Sequence, residues 1–146
     1  MAPDDLLRFQ LSAGLILAGR QWQKVVDSAL AGHGISNAMT LPLLLIGRAG
    51  GGIRQVELAQ RVGVEGPSLV RILDRLCAAG LVRRAHDAKD RRANQLWLTE
   101  AGAALLEGLE QQLTALRRQH LGSLSSDDMQ AVLRFYRVVE DAARVA

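Results

Sequence analysis

Two groups of residues in this sequence have the types and spacing to do chemistry. The first is Ser68, Arg71 and Arg75. At about 100° per residue, a helix projects these three from one side, a hydroxyl beside two guanidiniums. A guanidinium can make paired hydrogen bonds to a guanine edge, so such a face suits the major groove of duplex DNA. The second group is Asp90-Arg91-Arg92, within a stretch from Ala85 to Asn94 that is too polar to bury. A basic tip of this kind suits a narrow minor groove, whose negative potential attracts arginine. Neither group is an active site. His33, His86 and His120 are scattered. No His/Cys/carboxylate cluster has metal-ligand spacing, and no serine sits in a strand-to-helix elbow. The run Gly47-Arg48-Ala49-Gly50-Gly51-Gly52 follows a helix rather than a strand and lacks Gly-Lys-Ser/Thr, so it is no phosphate loop. A small enzyme is therefore the alternative of a different class, and it has no reactive constellation behind it. A helical protein-binding adaptor is the other alternative. It would need no basic tip, and a salt-sensitive shift of generic duplex DNA separates it from a DNA reader.

The elements that must position these residues follow from local pattern. Gly66-Pro67 opens a helix, because proline at the first helical position gives up a donor that has no partner there anyway. Gly80 closes it, as glycine does just past a helix end. Leu69, Ile72, Leu73 and Leu76 fall at i, i+3, i+4 and i+7, an apolar stripe opposite Ser68, Arg71 and Arg75, with Ala78 and Asp74 beside the polar face. Cys77 lies near the edge of the stripe and reads as core. Before this helix, Gln55–Val62 reads as a shorter one carrying Val56, Leu58, Ala59 and Val62, with Gly63–Gly66 as the turn between the two. After it, residues 81–84 and 95–98 read as the two strands of a hairpin, with Val82, Leu96 and Leu98 as apolar anchors. Ile53-Arg54 can add a short third strand.

The flanks are helical. Residues 6–31 carry Leu11, Leu15, Ala18, Trp22, Val25 and Ala29 at spacings of 4, 3, 4, 3 and 4, a heptad-like seam. Gly32-His33-Gly34 breaks this helix, and His33 there reads as a cap or an exposed residue. Ser36 can cap a second helix, but Pro42 clashes with the carbonyl four residues back and costs about 3 kcal/mol in a helix interior. Either that helix kinks, or it starts later with Thr40 or Leu41 as its cap. The glycine run ends it and reads as a flexible connector. Thr99 caps a fifth helix with Glu100 in its first turn, and Leu105 or Leu106, Leu109, Leu113 and Leu116 run along it. Ser125 starts a sixth, whose stripe is Met129, Val132, Leu133, Tyr136, Val139 and Ala143.

Composition sets bounds. The 146 residues suit one domain and are 49% hydrophobic, enough for a core. Aromatics at 3% leave little for a base-stacking platform on single strands. No apolar run reaches the roughly 18 residues of a membrane span. The start, with Asp4 and Asp5, lacks a basic signal-peptide region, and a single cysteine fits a reducing cytoplasm. We therefore expect a cytoplasmic protein with no membrane partner and no cofactor. Net charge is +3, but from Arg54 to Arg92 nine basic residues face five acids, while the remainder has nine basic and ten acidic. The positive excess thus coincides with the helix-turn-helix pattern, which points to double-stranded DNA. The terminal helices carry more apolar surface than one small lobe can cover. A monomeric helical core is the plain reading of that excess. A homodimer, packing the first, fifth and sixth helices against a second copy, is the one we favour, and two reading helices one DNA turn apart would suit a palindromic site.

Taken together, Leu58-Ala59, Pro67-Ser68-Leu69-Val70-Arg71, Leu76, Gly80-Leu81-Val82, Asp90-Arg91-Arg92 and Leu98-Thr99-Glu100-Ala101-Gly102 resemble the MarR family of bacterial transcription regulators. The run Val64–Arg71 is most similar to the SlyA branch. The resemblance is sharp over about 45 residues and follows the helical order throughout. It implies a mainly α, α+β chain: one winged helix-turn-helix domain over residues 1–146, with a DNA-binding lobe at 53–98 and long dimerisation helices in 1–35 and 100–146. It implies an obligate homodimer on a pseudo-palindromic operator, with Pro67, Ser68, Arg71 and Arg75 at the major groove and Arg91 in the minor groove. Asp90 and Arg92 would brace the hairpin tip. Many members of the family are released from DNA by small aromatic carboxylates, and Trp22, Met39 and Leu43 would lie near such a pocket. Pro42 and the triple glycine depart from the family's usual pattern there. The family's peroxide sensors carry a reactive cysteine in the first helix, whereas Cys77 lies in the reading helix, so redox sensing is not implied.

Overall fold

A computed structural model describes residues 2–86, 88–89 and 94–146. The chain forms two compact units, residues 1–113 and 114–146. Helix α1 spans Pro3–Leu30. It begins before the expected residue 6 because Pro3 suits a first helical turn and Asp4 and Asp5 complement its positive end. A 3-10 turn at Ala31–His33 follows, and Gly34 leaves it in the left-handed region at φ 73°. Helix α2 spans Asn37–Arg48 and contains Pro42. The later start at Thr40 or Leu41 is thus corrected. Ser36 is the N-cap residue; its carbonyl accepts Met39 N at 3.0 Å and Thr40 Oγ1 at 3.3 Å, while its side chain makes no capping bond among the described residues. Pro42 is tolerated because its ring is fully buried.

The glycine run also differs from expectation. Gly47 lies inside α2, and a Cβ there would collide with Leu106. Gly50, Gly51 and Gly52 all have positive φ, and Gly52 N donates to Leu96 O at 2.9 Å. The Trp97 ring lies directly on Gly51 and Gly52. The run is a shaped floor for that indole as well as a connector.

Strand β1 (Ile53–Arg54) leads into α3 (Gln55–Val62), and α4 follows at Gly66–Ala78. Strands β2 (Val82–His86) and β3 (Asn94–Leu98) form the hairpin. They run past the expected 81–84 and 95–98, so Ala85, His86 and Asn94 belong to the ladder rather than the tip. The sheet is antiparallel in the order β1-β3-β2. Ile53 opposite Leu96 and Val82 opposite Leu98 face inward, whereas Arg83 opposite Trp97 and Arg54 opposite Gln95 share the other face. Leu43, Ile46, Leu58, Leu69, Leu73, Leu76, Leu96 and Leu109 have no exposed surface, so α2, α3, α4, the sheet and helix α5 (Glu100–Leu121) meet in one core. Helix α6 spans Ser126–Val145 and starts with a reciprocal capping box between Ser125 and Asp128.

Two elements keep apolar stripes in the open. On α1, Leu6, Leu7, Phe9, Leu11, Ile16 and Leu17 are each about half exposed. On α6, Met129, Val132, Leu133, Tyr136 and Val139 are exposed as well. Among the described residues no single helix is long and apolar enough to cross a membrane.

Candidate nucleic-acid interface

The geometry of α4 follows from its stripe. Leu69, Leu73 and Leu76 are fully buried and Ile72 half-buried, which turns Ser68, Arg71 and Arg75 outward, all three exposed. Pro67 is exposed at the first turn. The end of α4 is held by a Schellman pair: Gly80 N donates to Cys77 O at 3.0 Å and Leu81 N to Leu76 O at 3.0 Å, with Gly80 at φ 73°. Cys77 was expected in the core and is half-buried.

The hairpin is tied to this helix at its base. Arg84, inward-facing on β2, places Nη2 2.8 Å from Asp74 Oδ1 and 3.5 Å from the Val70 carbonyl. On the other face of the sheet, the Arg83 guanidinium lies 5.3 Å from the Trp97 ring centre, so the indole is held between a cation and the glycine floor. Thr99 joins the sheet to α5. Its N–H donates to Leu81 O at 3.0 Å, its hydroxyl donates to Gly80 O, and it accepts Gly102 N at 3.0 Å. Gly102 is buried hard against the Leu81 carbonyl, where any Cβ would collide.

The expected tip residues Asp90, Arg91 and Arg92 lie outside the described residues. Of the residues expected near a ligand pocket, Met39 and Leu43 are buried and Trp22 is half-buried. None of the three lines a cavity described here. An open groove of about 960 Å³ lies elsewhere, between α3, the Gly63–Gly66 turn and β3, lined in part by Ala59, Val64 and Leu69. His33, expected as a cap or exposed, is half-buried, its Nε2 2.6 Å from Gln112 Oε1. Among the described residues no group of three His, Cys, Asp or Glu side chains could hold a metal ion.

Arg84 and Trp97 were missed as site residues, and Asp74 was noted only as a neighbour of the polar face. The signal for Arg84 was present. Strand alternation from Val82 puts it on the inward face, and an inward arginine needs an acid within reach.

Residues 33–93 match the MarR family. Over most of the chain the fold is that of winged-helix MarR-type structures. A cysteine-to-serine mutant of MarR from E. coli, solved in complex with operator DNA, is 26% identical at a TM-score of 0.78, covering 88% of this chain and 92% of that one. The transcriptional repressor CouR, bound to a 23-mer DNA duplex, is 27% identical at 0.79, covering 92% of this chain and 94% of that one. A MarR transcriptional regulator from Methanosarcina mazei Go1 shares the fold at a TM-score of 0.80 and 20% identity, covering 93% and 98%. MarR proteins are DNA-binding transcription regulators rather than enzymes, in line with the expectation drawn from the scattered histidines.

Proposed function

We propose that this chain is a sequence-specific, double-stranded DNA-binding transcription regulator of the MarR type. The observation that carries this reading is the outward face of α4, where Ser68, Arg71 and Arg75 are exposed while the opposite stripe is locked in the core. The basic hairpin beside it supports the same reading, as do the DNA complexes of E. coli MarR and CouR, 26% and 27% identical to this chain. On this reading Pro67, Ser68, Arg71 and Arg75 meet the major groove, and Asp90, Arg91 and Arg92 form the tip of a wing. The run Val64–Arg71 supports a place in the SlyA branch.

The working unit is a homodimer on a pseudo-palindromic operator. The support is the pair of unpartnered stripes on α1 and α6, apolar surface that water disfavours and a second copy of the same chain can cover. The lobe at 53–98 reads DNA, and 1–35 with 100–146 supply the dimer helices. Modulation by a small aromatic carboxylate near Trp22, Met39 and Leu43 belongs to the same reading and rests on the family resemblance.

Selection of bound duplexes from a random pool, followed by titration at several salt concentrations, tests the central claim. The expected result is a two-part inverted repeat bound with steep salt dependence. Recovery of no preferred duplex, with no salt-dependent binding, would refute it.

A further inference from the structure

The expected brace of the hairpin was the tip pair Asp90 and Arg92. The described residues carry a different one, at the base. Arg84 sits on β2 opposite Leu96, which is fully buried, so its side chain is directed at α4 rather than at solvent. Its side chain is 29% exposed, against 58% for Asp74. Val70 and Asp74 are four residues apart on α4, one above the other on the same flank of the helix. One guanidinium nitrogen reaches both, at 2.8 Å to the carboxylate and 3.5 Å to the carbonyl.

That flank borders the outward face of α4. Asp74 is three residues beyond Arg71 and next to Arg75, so its charge lies beside both exposed arginines. A bare carboxylate there would repel phosphate and compete for Arg71 or Arg75. Arg84 answers both problems. It neutralises the acid from the side away from the outward face, and it joins the strand that leads to the hairpin tip to the helix that carries Ser68 and Arg71. Both contacts come from the single nitrogen Nη2, so what the pair needs at this position is a long cationic side chain with more than one donor on its terminal nitrogen. A partly exposed ion pair adds little to stability. The cost of removing it therefore falls on geometry rather than on folding.

We propose that Arg84 and Asp74 are positioning residues for DNA reading: their ion pair fixes the hairpin against α4 and keeps Asp74 off Arg71 and Arg75. This rests on the DNA-reading proposal above. Simple electrostatics and positioning predict opposite outcomes for Asp74→Asn. Removing a negative charge should tighten every duplex, whereas releasing Arg84 should lower discrimination.

The experiment uses the full chain and two probes, the duplex selected from a random pool and a scrambled duplex of equal composition. For Asp74→Asn and Arg84→Met we expect the ratio of the two affinities to fall about tenfold, within the share of one base contact. The melting temperature should stay within a few degrees. Arg84→Lys, which keeps the charge, should recover most of the ratio. The double variant should be no worse than Arg84→Met alone, since the two residues act as one unit. If Asp74→Asn binds both probes more tightly at an unchanged ratio, the positioning role is wrong while DNA reading stands. A wild-type chain that prefers neither probe overturns both.

Discussion

Helices α4 and α6 are both amphipathic, yet the chain treats them in opposite ways. On α4 the stripe Leu69, Leu73 and Leu76 is fully buried within its own unit. On α6 the stripe Met129, Val132, Leu133, Tyr136 and Val139 is exposed throughout. The periodicity is the same, so the pattern alone says that a face will bury and not what will bury it. The difference lies in the neighbours. Helix α4 is followed at once by a sheet and preceded by a short helix, which supply Val82, Leu96 and Leu58. The stripes on α6 and on the outer half of α1 remain exposed among the described residues. A stripe satisfied within the chain orients a polar face outward; a stripe left open is what the proposed homodimer would cover.

Five variants would break or sharpen that contrast. The largest effect on the fold itself belongs to the closed stripe. Leu73→Ala should destabilise the protein by about 2–5 kcal/mol, through lost burial and the cavity left behind. Chemical denaturation measures it, and a loss below about 1 kcal/mol would mean that the site collapses or is not core. Next comes the open stripe. Val132→Glu with Leu133→Glu should separate a dimer into single chains while leaving the secondary structure intact, because each side chain forgoes roughly 1.5–3 kcal/mol of burial in the partner. Sedimentation that shows the same mass for wild type and variant would argue that α6 meets no second copy.

Smaller effects are expected on the outward face of α4. Arg71→Ala should lower discrimination between selected and random duplexes more than it lowers generic affinity, by about 1–3 kcal/mol per half-site. An unchanged ratio would place Arg71 on the phosphate backbone instead. The smallest change in free energy, and the most specific in form, is at the tip. Arg91→Ala should weaken all duplexes alike and reduce the slope of log K against log salt by about 1 to 2 if both copies dock, at roughly 0.9 per neutralised phosphate. Asp90→Ala should also weaken binding if Asp90 braces the tip. Tighter binding at every salt concentration would reduce Asp90-Arg91-Arg92 to a charge cluster.

Much of the fold was legible because it rests on local signals. Gly66-Pro67 and Gly80 bounded α4, the leucine spacing oriented it, and Thr99 and Ser125 both cap as their types suggested. What escaped had non-local causes. Pro42 reads as a helix breaker, and only the surrounding core explains why it stays inside α2. The triple glycine reads as slack, whereas Gly51 and Gly52 have positive φ and lie under the distant Trp97, so that a side chain at either would be strained and crowded. The same holds at the site. Ser68, Arg71 and Arg75 could be found from one helix, but the Arg84–Asp74 pair needed two elements placed together.

The junction around Thr99 has a mechanical consequence. One residue bonds to Gly80 and Leu81 on one side and to Gly102 on the other, and Gly102 has no clearance from the Leu81 carbonyl. The first turn of α5 is therefore geared to the last residues of α4 without a gap to absorb play. A roll of α5 about its axis cannot be taken up at its start. It must be passed to residues 80 and 81, and through their Schellman bonds to the whole of α4. A roll of the first turns of α5 should then arrive at the outward face of α4 as a change of pitch, and the one hydroxyl of Thr99 is a gear tooth in that train.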